Sequence, residues 1–255
     1  MLGFLIKKSF WDLWDNMGRI ILINLMFTLL IFGFYVTTLL AQYSILLATI
    51  SLIVLLLIIF IYLGATASYI KGLNDFRPDE IKTFFQNIKV SWKKSISGGL
   101  FFSAILFLTI IGMRFYSSLG GILGMIGTIF LFWIFVTVFL ASLYYFPIMN
   151  RLESTFIKMI KKSFLIFLDN PFLTMAVFIG LVFGLVLSVF TIFLIPGPGG
   201  AILWLDNNLR SLIYKYDYLE ENPEAGKKIP WRVLFMDDNE KIGPRTLRNT
   251  IFPWK

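Results

Sequence analysis

Asp206 and Arg210 stand one helical turn apart, a short way past the run Pro196-Gly-Pro-Gly-Gly200. Charged groups beside a broken apolar helix are a pattern by which transporters hold ligands inside the membrane. The blander chemistry is an ion pair at i, i+4 spacing, placed where the chain leaves lipid. Asn24 is the clearest polar residue within the earlier apolar stretches. It can bond across helices, a contribution of about 1 kcal/mol, or touch a solute. Material for other chemistry is short. The chain has no His and no Cys, which excludes imidazole proton shuttles, thiolate zinc sites, disulfides and Cys or Ser-His nucleophiles. Asp75, Asp79 and Glu80 are spaced poorly for a metal cage. The Gly-Pro run lacks the Lys and Ser/Thr of a phosphate loop. No enzyme activity, cofactor or metal is expected. Asp12, Asp15 and Asp169 read as solvated faces near basic pairs.

The elements that position these groups repeat one phrase. Ile6-Lys-Lys-Ser-Phe-Trp-Asp-Leu-Trp-Asp-Asn16 returns as Ile160-Lys-Lys-Ser-Phe-Leu-Ile-Phe-Leu-Asp-Asn170, identical at seven of eleven positions. A looser copy runs from Ile81 to Lys89. Each copy carries an apolar stripe at helical spacing: Ile6, Phe10, Leu13 and Trp14; Ile81, Phe85, Ile88 and Trp92; Ile160, Phe164, Phe167 and Leu168. Lys and Ser or Thr occupy the other face. Each copy then enters a long apolar stretch, which reads as a basic amphipathic helix on the membrane surface before a spanning hairpin.

Composition requires lipid. The chain of 255 residues is 58% hydrophobic, 18% aromatic and 15% charged, against about a quarter charged in a soluble domain. The net charge of +8 comes from basic residues flanking the apolar runs, the pattern of membrane orientation rather than of nucleic-acid binding. Spans of about twenty residues, enough for a hydrocarbon layer of roughly 30 Å, are expected at 20–41, 44–66, 96–113, 123–145 and 172–195. The apolar run after Lys7, Lys8 and Arg19 is too long for a secretory signal. The stretch 201–216 is too polar alone to be a span. The repeat and the nine Lys and Arg that follow the hinge argue that it crosses, short, tilted or partly unwound, and shielded by protein at Asp206 and Arg210. Gly120, Gly121, Gly124, Gly127, Gly180 and Gly184 read as close-packing positions within one subunit.

The expected fold is an all-α membrane protein of about six transmembrane segments. It comprises three repeats, about 4–67, 79–147 and 158–216, followed by an extended cytoplasmic tail, 217–255. Both termini are expected on the cytoplasmic side. The amphipathic copies offer contacts to anionic headgroups or to a soluble protein partner through Lys7, Lys8, Trp11, Trp14, Lys82, Lys89, Lys93, Lys94, Lys161 and Lys162. In the tail, Trp231 and Trp254 belong to apolar clusters able to dock.

Several stretches resemble the YesL-like family of bacterial membrane proteins, which lacks an established activity. They are Leu22-Ile-Asn24-Leu25, Gly64-Ala-Thr-Ala67-Ser-Tyr69, Thr83-Phe-Phe85 through Trp92-Lys-Lys94, Phe146-Pro147 with Arg151, and Lys162-Ser-Phe164 with Asn170-Pro171. The resemblance implies a bacterial cytoplasmic membrane and, in some members, association with carbohydrate ABC importers. It brings no catalytic or ligand residue. The expected role is a non-enzymatic accessory or scaffold subunit. The alternative is a permease or channel for a neutral or lipid-like solute.

Overall fold

In lipid every backbone N–H and C=O must be satisfied internally, so long apolar runs become helices. The computed structural model describes residues 1–77, 80–152, 155–225 and 229–245. These form α1 (Leu2–Asp15), α2 (Met17–Tyr43), α3 (Ile45–Asn74), α4 (Ile81–Leu119), α5 (Gly121–Ser142), α6 (Tyr145–Arg151), α7 (Phe156–Asp169), α8 (Pro171–Phe190), α9 (Gly197–Glu221), α10 (Trp231–Leu234) and α11 (Met236–Ile242). No strand occurs among the described residues. Five helical stretches are long and apolar enough to cross a bilayer: α2, α3, α4, α5 continued through α6, and α8. The protein is an all-α, multi-pass membrane protein.

The turns follow local chemistry. Ser44 caps α3 by accepting the Leu47 N–H at 3.4 Å. Gly120 and Gly121 turn α4 into α5 at φ +65° and +61°, a left-handed region that glycine adopts without steric cost. Pro147 explains why α5 stops. Its ring would meet the carbonyl four residues back, at Leu143, where the helix breaks before α6 begins. Gly124 and Gly127 of α5 pack inside the subunit, because a Cβ on them would lie 2.5 Å from the Tyr116 carbonyl and 2.3 Å from the Tyr116 ring of α4, respectively.

Two expectations about the repeat are corrected. The second amphipathic copy is not a separate helix, since α4 runs unbroken for 39 residues from that copy through the third span. Nothing between Lys94 and Ile96 breaks a helix. Phe84 packs against Tyr62 and Tyr69 of α3, and Ser95 faces Gly64 of the same stretch. The intervening part of α4 therefore lies across α3 rather than along it. The second correction concerns the stripes. Ile6, Phe10 and Trp14 are exposed, while Leu5, Lys8, Ser9, Trp11 and Asp12 are buried. In α4 it is Phe84, not Phe85 or Trp92, that enters the core. In α7 the buried residues are Met159, Ser163, Ile166 and Phe167, and Leu168 is exposed. In α1 the face beside the apolar stripe seats the helix, because the bundle beneath it is polar, whereas in α7 the stripe residue Phe167 is buried and Ile160 and Phe164 pack against the core.

The third hairpin is asymmetric. Pro196 abuts Gly184, so α9 begins beside a residue well short of the end of α8 at Phe190. From Gly197 to Asp206 a helix rises only about 14 Å, half of the hydrocarbon thickness. Thus α9 does not supply a sixth apolar span. Its 25 residues are enclosed by α1, α2, α3, α6 and α8, with Ile202, Leu203, Leu205 to Leu209, Ser211 and Leu212 buried.

Candidate functional site

The site is a layer of charged and amide side chains around α9 at the end of the bundle where α1 and the tail meet. Asp206 is buried at 1% exposure. It does not pair with Arg210. Arg151 from α6 grips it with both arms of the guanidinium, Nε to Oδ1 at 2.7 Å and Nη2 to Oδ2 at 2.5 Å. Asn74 donates to the same carboxylate at 2.7 Å. Arg151 also reaches Asp75 at 3.0 Å. Bidentate geometry of this kind is specific to arginine.

Arg210 turns the other way. It pairs with Asp238 of α11 at 2.7 Å and lies 3.4 Å from Asp75. It also donates to the carbonyl of Asn74. That carbonyl closes the 30-residue helix α3 and accepts a second cation, Lys8, at 3.1 Å. Cations at a helix C-terminus meet the negative end of its dipole. The chain then turns through Phe76 at φ +56°, with Arg77 N–H returning to Gly72 and Phe76 N–H to Leu73. This is a Schellman closure with phenylalanine where glycine is usual. Lys8, Arg210 and Lys241 stand 4.2, 5.8 and 5.3 Å from the Phe76 ring centroid. Their attraction to the ring face offsets its backbone strain.

The α1 side completes the layer. Lys8 bonds Asp12 at 2.8 Å, and Asn207 donates to Asp12 at 2.9 Å and to Ser9 at 3.1 Å. Burial pulls the Lys8 ammonium below the ordinary lysine range and pushes the Asp12 carboxyl above its own, with their mutual attraction offsetting part of each shift. This pair is held by the fold at a desolvation cost. On the far side Asn208 donates to the Tyr144 hydroxyl at 3.2 Å, and Tyr144 and Thr174 hydroxyls are 2.8 Å apart.

A second polar knot secures the hinge. Asn24, fully buried, donates to the carbonyls of Leu194 and Pro196 at 2.9 and 2.8 Å and accepts the Gly199 N–H at 2.8 Å. Ser188 accepts the Gly197 N–H at 2.9 Å. Gly197 is at φ +57°, and a Cβ there would sit 2.4 Å from the Asn24 amide. The free backbone groups at the start of α9 thus have partners inside the protein.

The tail covers the ionic layer as a strap. Phe235 is buried between Phe4, stacked at 4.1 Å, and Trp231 at 5.5 Å. Asp238 and Ile242 are buried as well, and Arg245 pairs with Asp15 at 2.6 Å. The double variant Phe235→Ala/Asp238→Asn is expected to speed hydrogen exchange over 231–242 by about tenfold or more, because it removes the strap's aromatic anchor and its ion pair. Unchanged exchange would mean that the strap is held by other contacts.

Of the residues picked from sequence, the layer unites Asp206, Arg210 and Lys8, and Asn24 serves the hinge. Lys8 and Trp11 are buried and face protein, not headgroups. Asp12 is likewise no solvated face. Lys82, Lys89, Lys93, Lys94 and Lys161 are exposed, as are Trp14 and Trp92, whereas Lys7 and Lys162 are partly buried. Trp231 stacks in the strap, and Trp254 lies outside the described residues. Sequence reading missed Asn74, Asp75, Phe76, Arg151, Asn207 and Asp238 as site residues. One signal was present: Asp12 occupies the repeat position that holds Ile166 in the third copy, and both are buried. No protein-family model, curated protein or solved structure matches this chain.

Proposed function

We propose that this integral membrane protein is a non-enzymatic accessory or scaffold subunit, whose basic end carries a protein partner in the bacterial cytoplasmic membrane. The observation that supports this most is the closure of the ionic layer. Asp206, Arg210, Arg151, Lys8, Asp12 and Asp238 all bond to groups of the same chain, which leaves a braced platform rather than an open solute site. The lysines of α4 and α7 that are exposed suit contact with anionic headgroups or with a partner. Lys and Arg concentrated at one end favour a cytoplasmic orientation for that end. The YesL-like resemblance favours an ABC-type carbohydrate importer as the complex. The permease reading has weaker support, because the groups that would meet a solute are engaged internally.

The test is affinity capture of the tagged protein from native membranes in mild detergent, followed by mass spectrometry. A stoichiometric partner is expected. Its loss in a variant with Lys89, Lys93 and Lys94 changed to Gln would place it on α4. A lone monomer under several detergents would contradict the scaffold reading.

A further inference from the structure

A groove between α1, α8 and α9 has a volume of about 660 Å³. Its walls include Ile6, Phe10, Ile179, Phe183, Leu187 and Trp204. The polar side chain reaching it from α1, Ser9, accepts a hydrogen bond from Asn207 at 3.1 Å. Trp204 on its wall donates its indole N–H to the Val177 carbonyl at 2.8 Å. We infer that this groove is a binding site for one acyl chain of a membrane phospholipid.

Three observations select that occupant. The mouth is continuous with the lipid-facing surface, where Ile6, Ile179, Phe183, Val186 and Val189 are all exposed. Along α8 the groove extends from Ala176 to Leu187, a rise of about 16 Å. Dividing the volume by that length gives a cross-section of roughly 40 Å². That section admits an extended hydrocarbon chain lying along α8, and a helix from a second copy is the competing occupant that cross-linking between copies would reveal. The groove also accounts for the outward stripe of α1: Ile6, Phe10 and Leu13 form one wall of it. Gly184 lies on the floor, where an added Cβ would meet only Pro196 at an ordinary 3.7 Å. A larger side chain there fills the groove without displacing backbone.

The experiment uses the full chain in nanodiscs of phosphatidylethanolamine and phosphatidylglycerol, doped with phosphatidylglycerol carrying a photoreactive diazirine midway along one acyl chain. Adducts are mapped by mass spectrometry after photolysis. Labelling of 176–187 and 200–204 is expected to exceed that of the outer face of α5, at Phe130 and Trp133, by about fivefold or more. Gly184→Leu, which fills the upper half, should lower the groove's labelling to the α5 level and leave α5 unchanged. Ala176→Phe does the same from the other end and serves if the first variant does not fold. Equal labelling of groove and α5 would overturn the proposal by making the groove ordinary annular surface. So would cross-links joining α8 of two copies.

Discussion

Asp206→Asn should lower the unfolding free energy by about 3–5 kcal/mol, the usual cost of removing one partner from a buried pair. The substitution keeps the shape of the side chain and removes its charge. Arg151, whose side chain is 8% exposed, then keeps its charge with only the partly exposed Asp75 as counter-ion. The loss should appear as a lower thermal midpoint in detergent and as faster hydrogen exchange at the ends of α3 and α6 and around Asp206 within α9 together, because all three meet at this carboxylate. The double variant Arg151→Met/Asp206→Leu is expected to be less destabilised than the sum of its single variants, since apolar replacement of both ions removes the desolvation cost along with the attraction. Additive losses would show that the two side chains act separately.

Asn24→Ala carries the second large effect. Three bonds vanish at once; the carbonyl of Leu194 and the N–H of Gly199 lose their partner, while the Pro196 carbonyl keeps the Gly200 N–H at 2.9 Å. Each buried orphan costs about 1–3 kcal/mol, and lipid offers no replacement. A total loss of about 2 kcal/mol or more is expected. Thr28→Val removes a hydroxyl whose one O–H is shared between the Asn24 and Ile192 carbonyls, at 3.1 and 3.3 Å, and should cost less than about 1 kcal/mol. The hinge is where the difference should be read. Ile192 and Phe193 stand at φ +51° and +59°, a strained region for such side chains. Without Asn24 that strain has less to hold it, and hydrogen exchange at 197–203 should rise far more in Asn24→Ala than in Thr28→Val. Equal protection in both would contradict the role given to Asn24.

The spans were legible because lipid imposes a length and a polarity that can be counted along the chain. The hinge was legible for a similar reason, since Pro196 and Pro198 cannot continue a helix. The unbroken α4 was legible too, from the lack of any breaker before Gly98, although the repeat pointed to two helices. The ionic layer was not legible. Its members come from α1, α3, α6, α9 and α11, and nothing local to Arg151 or Asp238 distinguishes a buried charge from a solvated one. Spacing joined Asp206 to Arg210 at i, i+4, but α9 points them at different neighbours, and stronger partners lay there. Comparing the copies of the repeat was the available route, because Asp12 breaks an apolar position and its burial required a partner such as Asn207.

α1, the hinge helix α9 and the strap close one ionic layer at a single end of the bundle. The natural chain has no cysteine, so single-cysteine variants at Lys7, Lys241, Tyr43 and Leu119 can be labelled with an impermeant maleimide in vesicles of known orientation. Lys7→Cys and Lys241→Cys should react from one side of the membrane, and Tyr43→Cys and Leu119→Cys from the other. Reaction of Lys241→Cys from the side that labels Tyr43→Cys would separate the strap from α1 and contradict the layer.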